Sequence, residues 1–489
     1  MRGPFLGPRI RQKRALPNLP KLAALPTIAA LTSAIRARKI SPVEVTHQCL
    51  DRIARLDDRL RAFITVDGER ALATARTLEA EQSRQAWRGP LHGVPLAFKD
   101  LCFIRGLPTS CGTKTAEYFT ADHDCTAVAR LVDAGAVALG KLNMTELAMG
   151  AFGDNPHHGH ARNPWNLDRC TGGSSSGSGV AVAAGLAPGA IGTDTGGSIR
   201  LPSAVCGIAG LKPTYGRVSR AGAMALSWSN DHLGPMARTA EDCALMLQVI
   251  AGPDPLDATA SPYPVPDYRA ALVQPVRGLR IGVPDNFFFE GLDGEMEAGV
   301  RAAIAALATL GVHVEEIRLP DPQTMSDVTN IISRSEATAL HGGLLRERSH
   351  ELGAFTRARL EMGLRIPAHD YLQALRLRAR LARAFSQDVW SRVDVLAAPV
   401  IPEPAPPLTA ALDGSIDEIT VRQGRFSRFT RPFNGLGLPA LSLSCGFSRA
   451  GLPLAFQIVG RPFDEATVLR VGHAYQSVTD WHERVPELA

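Results

Sequence analysis

The amino-acid sequence predicts an α/β fold, and three observations support this prediction. Apolar runs alternate with amphipathic helical segments between residues 94 and 139, and the same alternation returns between residues 279 and 317. Hydrophobic residues make up 45% and charged residues 21% of the 489-residue chain, which is ordinary for a globular protein with a large core. Alternating strands and helices are typical of a sheet covered by helices.

The first helix is marked by its N-terminal residues. Ser41 and Glu44 form a capping-box pattern, and Pro42 occupies the first helical position. The apolar positions that follow at helical spacing are Val45, Cys49, Ile53 and Leu56. The sequence therefore predicts a helix that begins at residue 42, and a second helix is predicted over residues 69–85.

The elements that follow alternate between strand and helix. Strands are predicted at residues 94–98, 136–139, 279–283 and 312–317, and helices at residues 126–134 and 295–310. A later helix is indicated by apolar residues spaced three or four apart, which are Leu372, Leu375, Ala379, Ala382 and Phe385. The arginines between them, Arg376, Arg380 and Arg383, are predicted to face solvent. Two proline-rich stretches, 253–275 and 399–407, are either linkers between domains or long loops within one.

The formal net charge of +5 arises in the N-terminal segment. Nine basic residues precede the first acidic residue, Glu44, whereas acidic residues outnumber basic ones in the rest of the chain. A nucleic-acid platform needs basic residues concentrated on the folded body, so the charge argues against a nucleic-acid partner. Residues 1–25 are rich in Pro, Gly and Arg, and they are predicted to be a flexible basic extension.

The cysteines and the hydropathy pattern bear on where the protein works. None of the eight cysteines forms a C-x-x-C pair, which favours reduced thiols and a cytoplasmic location. The chain has no apolar run of the roughly 18 residues that a transmembrane helix needs, so no membrane partner is predicted. His157, His158 and His160 lie close together without a carboxylate or thiolate at a usual ligand spacing, so no metal site is predicted.

The segment at residues 172–202 holds the residues with the clearest chemical meaning. Two glycine and serine clusters, 172–179 and 196–198, enclose a stretch of small apolar residues. Glycines at this density let the backbone approach a ligand closely and point successive N–H groups inward. A phosphate-binding loop is disfavoured because no lysine follows these glycines. A nucleophile elbow centred on Ser175 is disfavoured because the polar loop at 163–171 stands where a strand is needed.

The same segment resembles the amidase signature family. The resemblance is continuous over residues 172–203, and it extends to residues 93–100, 163–165, 207–214, 437–440 and 456–460. It implies an α/β/α sandwich around a large twisted mixed β-sheet with helical additions. Because the resemblance covers nearly the whole chain after the N-terminal extension, residues 26–489 are predicted to form a single catalytic domain.

The resemblance also implies roles for individual residues. Ser198 is similar to the family's nucleophile, Ser174 to its bridging serine after a cis peptide bond, and Lys99 to its base at the end of a strand. The 24-residue spacing between the two serines is the family's own. The backbone N–H groups of Thr195, Gly196, Gly197 and Ser198 resemble the family's oxyanion hole. The resemblance implies neither a cofactor nor a metal.

These residue types suit acyl transfer. A serine hydroxyl is a weak nucleophile until a base takes its proton, and a neutral lysine serves as that base. The ordinary pKa of lysine, about 10.4, must fall by roughly three units for this work, and burial beside the apolar residues 96–98 provides the means. Asp100 is expected to point to the opposite face of the strand. Asp194 and Arg200 are interpreted as a structural ion pair beside the nucleophile.

The implied function is hydrolysis of carbon–nitrogen amide bonds in small molecules through an acyl-enzyme on Ser198, with esters and carbamates as related substrates. The main alternative is the glutamine-hydrolysing subunit of an aminoacyl-tRNA amidotransferase. In that branch an aspartate holds the glutamine amino group, whereas this chain has Ser427 there, flanked by Arg428 and Arg431, which disfavours an ammonium. A non-catalytic binding protein is disfavoured because all three catalytic side chains are present. The sequence neither predicts nor excludes a homodimer.

Overall fold

The computed structural model describes residues 25–114 and 119–488. Within these residues the strands are β1 (Phe63–Val66), β2 (Pro95–Lys99), β3 (Pro108–Thr109), β4 (Phe119–Thr120), β5 (Val137–Leu142), β6 (Gly189–Thr193), β7 (Ala209–Lys212), β8 (Leu233–Ala237), β9 (Arg280–Pro284), β10 (His313–Ile317), β11 (Val395–Pro399), β12 (Ala440–Phe447) and β13 (Pro453–Gly460). The predicted extension lies outside the described residues except for Leu25, which is buried.

The strands are connected by α-helices of widely different length. They are α1 (Ile28–Arg36), α2 (Pro42–Leu60), α3 (Gly68–Ser83), α4 (Thr126–Asp133), α5 (Ser176–Ala183), α6 (Arg200–Cys206), α7 (Ala240–Ile250), α8 (Tyr268–Leu272), α9 (Gly294–Thr309), α10 (Pro322–Arg348), α11 (Ala354–Leu364), α12 (Ala368–Asp388), α13 (Leu408–Leu412), α14 (Ile416–Phe426), α15 (Arg431–Gly435) and α16 (Glu465–Gln476). No helix in these described ranges is long and apolar enough to cross a membrane.

Eleven strands form one mixed sheet, in the order β1-β5-β2-β6-β8-β7-β12-β13-β11-β9-β10. β2 lies between β5 and β6 and is parallel to both. β9 is parallel to its neighbours β10 and β11, whereas the strands between these two groups pair antiparallel. The predicted α/β fold with a large mixed sheet is therefore confirmed.

Helices cover both faces of the sheet. On one face α16 packs on β12, where Gly472 lies directly over Leu441. On the other face Arg200 of α6 donates to Gln457 of β13, which is the cross-strand partner of Ser442. Because Leu441 and Ser442 are consecutive residues of one strand, their side chains point to opposite faces. The sheet is thus the middle layer between two layers of helices.

Most of the predicted elements are present with ends shifted by a few residues. The capping box at Ser41 and Glu44 forms as predicted and begins α2 at Pro42. All eight cysteines are free and buried. Of the two proline-rich stretches, 253–275 leads from α7 towards β9 and contains α8, and 399–407 leads from the end of β11 to α13.

The helix predicted from the apolar spacing forms as α12, but its apolar stripe is only partly covered. Phe385 is buried and Leu375 and Ala382 are half-buried, whereas Leu372 is 57% exposed and Ala379 is exposed. The helix packs on α10 in the outer layer, where Ala374 joins Val328 and Ile332, so only a narrow strip is covered. The prediction that Arg376, Arg380 and Arg383 face solvent is confirmed.

The close approach of β6, β8 and β7 generates a first prediction. Gly234 of β8 pairs with Gly192 of β6, and a Cβ on Gly234 would collide with the backbone carbonyl oxygen of Leu211. We expect Gly234→Ala to lower the free energy of unfolding by about 1–3 kcal/mol, because a rigid backbone cannot move aside. Thermal unfolding followed by circular dichroism measures the effect.

The matched control is Gly343→Ala in α10. A Cβ at Gly343 meets nothing within 4 Å, so the helix propensity of alanine should stabilise the protein by up to about 1 kcal/mol. An unfolding midpoint for Gly234→Ala at or above that of the wild type would contradict the packing described here.

Candidate active site

The candidate site lies where two neighbouring parallel strands end. Lys99 is the last residue of β2 and Thr193 is the last residue of β6. The two serines flank β6 in sequence, since Ser174 precedes α5 and Ser198 precedes α6. The carboxyl edge of parallel strands is the usual location of sites in α/β folds, because the connections that follow the strands converge there.

Lys99 is fully buried and is held by two hydroxyl groups. Its Nζ donates to Ser174 Oγ at 2.7 Å and to Thr193 Oγ1 at 2.8 Å. Burial lowers the pKa of Lys99 to about 7, even though surrounding acidic groups act in the opposite direction. At neutral pH a substantial fraction of Lys99 is therefore an uncharged amine that is able to accept a proton.

The two serines are held side by side by the backbone. The peptide bond between Gly173 and Ser174 is cis, as the family resemblance implies. The N–H of Ser175 donates to the carbonyl oxygen of Ser198 at 3.3 Å, which joins the two serine segments. Lys99 and Ser174 are 0% exposed and Ser198 is 9% exposed and lines a cavity, so Ser198 is the residue that faces a substrate. In the described chain no hydrogen bond joins the two serine hydroxyls, and such bonds often tighten only when substrate binds.

The predicted oxyanion hole needs one correction. The N–H of Gly197 donates to Asp194 Oδ1 at 2.7 Å, so this group is not available to a substrate. The N–H groups of Thr195, Gly196 and Ser198 have no acceptor among the described residues. Gly197 has φ +130°, and a Cβ there would collide with Thr430 Oγ1. Glycine is therefore required at this position by the backbone geometry of the turn, and not by binding of an oxyanion.

The ion pair predicted beside the nucleophile forms in the structure. Arg200 and Asp194 are both fully buried, and their side chains meet at 3.0 Å. Burial alone would favour the neutral acid, but Arg200 keeps the pKa of Asp194 below its ordinary range. Asn434 also donates to Asp194 Oδ1 at 2.8 Å, and Arg200 donates to Gln457 at 2.9 Å. This network fixes both ends of the turn that carries Ser198.

Several residues of the site are absent from the sequence predictions. Thr193 shares Lys99 with Ser174, and Asp231 accepts the hydroxyl of Thr195 at 2.6 Å. Thr430 donates to the carbonyl oxygen of Gly196 at 2.6 Å, which orients the peptide group between Gly196 and Gly197. Thr193 lies inside the signature segment and was within reach of sequence reasoning, whereas the contacts of Asp231 and Thr430 depend on long-range folding.

A cavity of about 680 Å³, which includes space open to solvent, lies beside Ser198. Its polar wall is made by Thr329, Asn330, Ser333, Arg334, Arg359, Gln423, Ser427 and Arg431. A second cavity of about 670 Å³ lies on the side of Lys99, where its wall includes Thr193 and Asp231. The two cavities adjoin each other, since Ala148, Thr195 and Leu226 belong to both walls.

Only one of the two arginines predicted beside Ser427 lines the cavity with it. Arg431 lines the cavity with Ser427, but Arg428 points away and donates to the carbonyl oxygen of Phe287 at 3.1 Å. Its guanidinium lies 4.5 Å from the centre of the Phe287 ring, so it is held by a cation–π contact instead. The other two arginines of the cavity, Arg334 and Arg359, come from distant helices that the sequence predictions did not connect with the site.

The side chains of Asp100 and of the three clustered histidines have other partners. Asp100 points away from Lys99 and pairs with Lys141 at 3.2 Å. His157 contacts Glu146 at 2.6 Å, His158 contacts the carbonyl oxygen of Thr113, and His160 accepts from the N–H of Asn155. These contacts bind the loop to the protein body at separate points.

Comparisons with known proteins identify the family of this chain. A family model for amidases matches residues 44–469. The glutamyl-tRNA(Gln) amidotransferase A subunit from Roseiflexus sp. (strain RS-1) is 45% identical, with 94% of this chain and 98% of the relative covered. This chain covers nearly the full length of that relative, so the likeness extends well beyond the signature segment.

Two solved structures show the same architecture. The peptide amidase from Stenotrophomonas maltophilia matches with a TM-score of 0.83 and 31% identity, over 94% of this chain and 98% of that chain. A chain from a vestigial complex that reveals the origins of an s-triazine catabolic enzyme matches with a TM-score of 0.86 and 34% identity, over 92% of this chain and 98% of that chain. The protein therefore belongs to the amidase signature family.

Proposed function

We propose that this protein is an amidohydrolase that breaks carbon–nitrogen amide bonds through an acyl-enzyme on Ser198. The observation that carries the proposal is the 2.7 Å hydrogen bond between Lys99 and Ser174 in a fully buried environment, in a segment that a backbone hydrogen bond joins to the cavity-lining Ser198. A buried amine with a lowered pKa is a suitable base for activating a hydroxyl at neutral pH. We further propose that residues 26–489 act as one catalytic unit.

The reaction follows from these positions. Ser198 Oγ attacks the carbonyl carbon while its proton passes to Ser174, whose own proton passes to Lys99. The N–H groups of Thr195, Gly196 and Ser198 donate to the oxyanion that forms. When the carbon–nitrogen bond breaks, the leaving amine takes a proton from Ser174, which is replenished by Lys99. Water then attacks the acyl-enzyme by the same relay, which releases the carboxylic acid and restores Ser198. Esters and carbamates present the same carbonyl carbon to this relay.

A second candidate function is the amide-donor subunit of a tRNA-dependent amidotransferase. The relative that is 45% identical over 94% of this chain is named as such a subunit, and this favours glutamine as the amide donor. Because that relative is named as a tRNA amidotransferase subunit, the comparison does not support the predicted absence of a nucleic-acid partner. The cavity wall is the observation against this second candidate function. It holds three arginines and Ser427, whereas the ammonium group of glutamine needs a carboxylate there.

The nucleophile is tested by Ser198→Ala with 4-nitroacetanilide as a chromogenic amide. We expect kcat to fall by a factor on the order of 10⁴ or more, because no other hydroxyl occupies the attacking position. Mass spectrometry of the wild type under rapid quench should show the acyl adduct on the peptide that contains Ser198.

The matched control is Ser178→Ala, which removes another buried serine of the same segment. Ser178 donates to the carbonyl oxygen of Ile191 and does not line the cavity, so its loss should leave kcat within a few-fold of the wild type. Equal rates for Ser198→Ala and the wild type would refute the proposal.

The relay predicts a specific dependence on pH. Lys99 must be uncharged to accept a proton, and its pKa is lowered to about 7. We therefore expect kcat/KM for a neutral amide to rise about tenfold per pH unit below 7 and to level off above it. Initial rates between pH 5 and 9 measure this profile, with unfolding monitored in parallel. A rate that is flat across pH 5 to 7 would exclude Lys99 as the base.

Two properties distinguish the amidotransferase subunit from a stand-alone amidase: assembly with other subunits and the use of glutamine as amide donor. An amidotransferase subunit is expected to purify from its native source with other subunits and to release glutamate from glutamine faster in that complex. Size-exclusion chromatography with light scattering, followed by a glutaminase assay, measures both properties. A stable hetero-oligomer with glutaminase activity would establish the second candidate in place of a stand-alone amidase.

A further inference from the structure

A buried carboxylate, Asp231, connects the turn that carries the nucleophile to the loop that leads into β8. Its Oδ1 accepts the hydroxyl of Thr195 at 2.6 Å, and its Oδ2 accepts the N–H groups of Leu226 at 2.8 Å and Ser227 at 2.9 Å. We refer to residues 195–198 as the nucleophile turn and to residues 226–231 as the carboxylate loop. One oxygen of Asp231 is therefore bonded to the nucleophile turn and the other to the carboxylate loop.

A second buried carboxylate holds the carboxylate loop to the helices. Glu336 of α10 accepts the hydroxyl groups of Ser227 at 2.5 Å and Ser229 at 2.6 Å. It also accepts the N–H of Ser229 at 3.0 Å and the hydroxyl of Tyr371, from α12, at 3.0 Å. The position of Asp231 is thus set by hydrogen bonds that begin on two packed helices.

The backbone brings Asp231 and Thr195 opposite each other. The N–H of Asp194 donates to the carbonyl oxygen of His232 at 2.9 Å, and the N–H of His232 donates back to Asp194 at 3.2 Å. Thr195 follows Asp194 and Asp231 precedes His232, so the two side chains meet beside this backbone pair. The hydroxyl contact therefore fixes the residue that carries the Thr195 N–H, one of the groups proposed to bind the oxyanion.

The charge of Asp231 is not explained by the stability of the fold. Among the residues that the structure describes, no basic side chain forms an ion pair with Asp231, and the nearby Arg220 pairs with Asp257 at 3.7 Å. Burial raises the pKa of Asp231, although hydrogen bonds from Thr195 and the carboxylate loop act to lower it. An ionised Asp231 is therefore unfavourable for folding, and such carboxylates are typical of functional sites.

We propose that Asp231 is a positioning residue of the hydrolase, which holds the Thr195 N–H in the direction of the oxyanion, and that Glu336 supports it by fixing the carboxylate loop. The proposal rests on the amidohydrolase function proposed above. Donors that are already oriented stabilise an oxyanion most strongly, because they need not reorganise during the reaction. The oxyanion forms only during the reaction, so loss of this contact should lower kcat and leave KM nearly unchanged.

Asp254 provides a matched carboxylate outside the site. It is 8% exposed, compared with 7% for Asp231, and it accepts the hydroxyl groups of Ser219 and Thr126 and the N–H of Leu256. Burial acts to raise the pKa of Asp254, but these hydrogen bonds lower it below its ordinary value. Asp254 lines neither cavity. An ionised Asp254 therefore favours folding, whereas an ionised Asp231 does not.

The two carboxylates are expected to respond in opposite ways to the same substitution. Asp231→Asn should lower kcat for 4-nitroacetanilide by at least about tenfold with KM changed by less than about threefold, because a neutral amide holds the hydroxyl of Thr195 more weakly than a carboxylate. At pH 7 its unfolding midpoint should be no lower than that of Asp254→Asn, which should keep kcat within a few-fold of the wild type. Equal kcat for the two variants would overturn the proposal.

A double-mutant cycle tests whether Asp231 acts through Thr195. Thr195→Val removes the hydroxyl but keeps the N–H, and it should lower kcat about as much as Asp231→Asn. Thr195→Ser, which keeps the hydroxyl, should recover most of the kcat lost in Thr195→Val. The double variant Thr195→Val/Asp231→Asn should be no slower than the slower single variant, because both changes remove the same contact. Losses that multiply in the double variant would refute the proposed route.

The role of Glu336 is tested in the same way. Glu336→Gln should lower kcat with little change in KM, and it should cause no further loss when it is combined with Asp231→Asn. A normal kcat for Glu336→Gln would contradict the proposed support of the carboxylate loop by this residue.

Covalent labelling of Ser198 separates this proposal from amide hydrolysis. A fluorophosphonate probe is attacked by the same hydroxyl and places its own phosphoryl oxygen at the oxyanion position. We expect labelling of Asp231→Asn to be at least about tenfold slower than that of the wild type and of Asp254→Asn. Equal labelling rates for all three proteins would overturn the proposal. Slow labelling of Asp231→Asn, together with a wild type that cleaves no amide, would contradict only the amidohydrolase function.

Discussion

The site depends on keeping one amine uncharged in a protein interior that contains several carboxylates. Lys99 is bonded only to hydroxyls in the described chain, and each acidic group near it is occupied elsewhere. Asp100 is paired with Lys141, and Asp194 is paired with Arg200. Burial raises the pKa of Asp231, which accepts hydrogen bonds from the loop above the site. If any of these carboxylates were free to contact Lys99, it would hold the proton on the amine and stop the relay.

The nucleophile turn lies between two different environments. On one side Lys99 donates to the hydroxyls of Ser174 and Thr193, and on the other side Arg334, Arg359 and Arg431 line the cavity. A Cβ on Gly196, which belongs to the turn, would lie 3.6 Å from Arg431 Cγ. The buried network around Asp194 holds the turn in place between the two environments.

Sequence reasoning reached the relay but not the whole of the cavity. Ser174 and Ser198 belong to one continuous motif of glycines and serines, Lys99 ends an apolar strand, and the ends of parallel strands bring the three together. Arg334 and Arg359 had no such signal, because arginines on amphipathic helices usually face solvent. The stripe on α12 is only partly covered for a related reason, since periodicity shows that a helix has a preferred face but not how much of that face a neighbour covers. The family resemblance implies an oxyanion role for the Gly197 N–H, but a sequence pattern does not show that Asp194 accepts that N–H.

The three arginines in the cavity wall bear on what would follow the chemical steps. Amide hydrolysis on Ser198, as proposed, turns a neutral amide into a carboxylic acid, whose carboxylate forms in the cavity that Arg431 lines. We expect this cavity to hold an anionic product more strongly than the neutral amide that entered, and added salt to weaken that attraction.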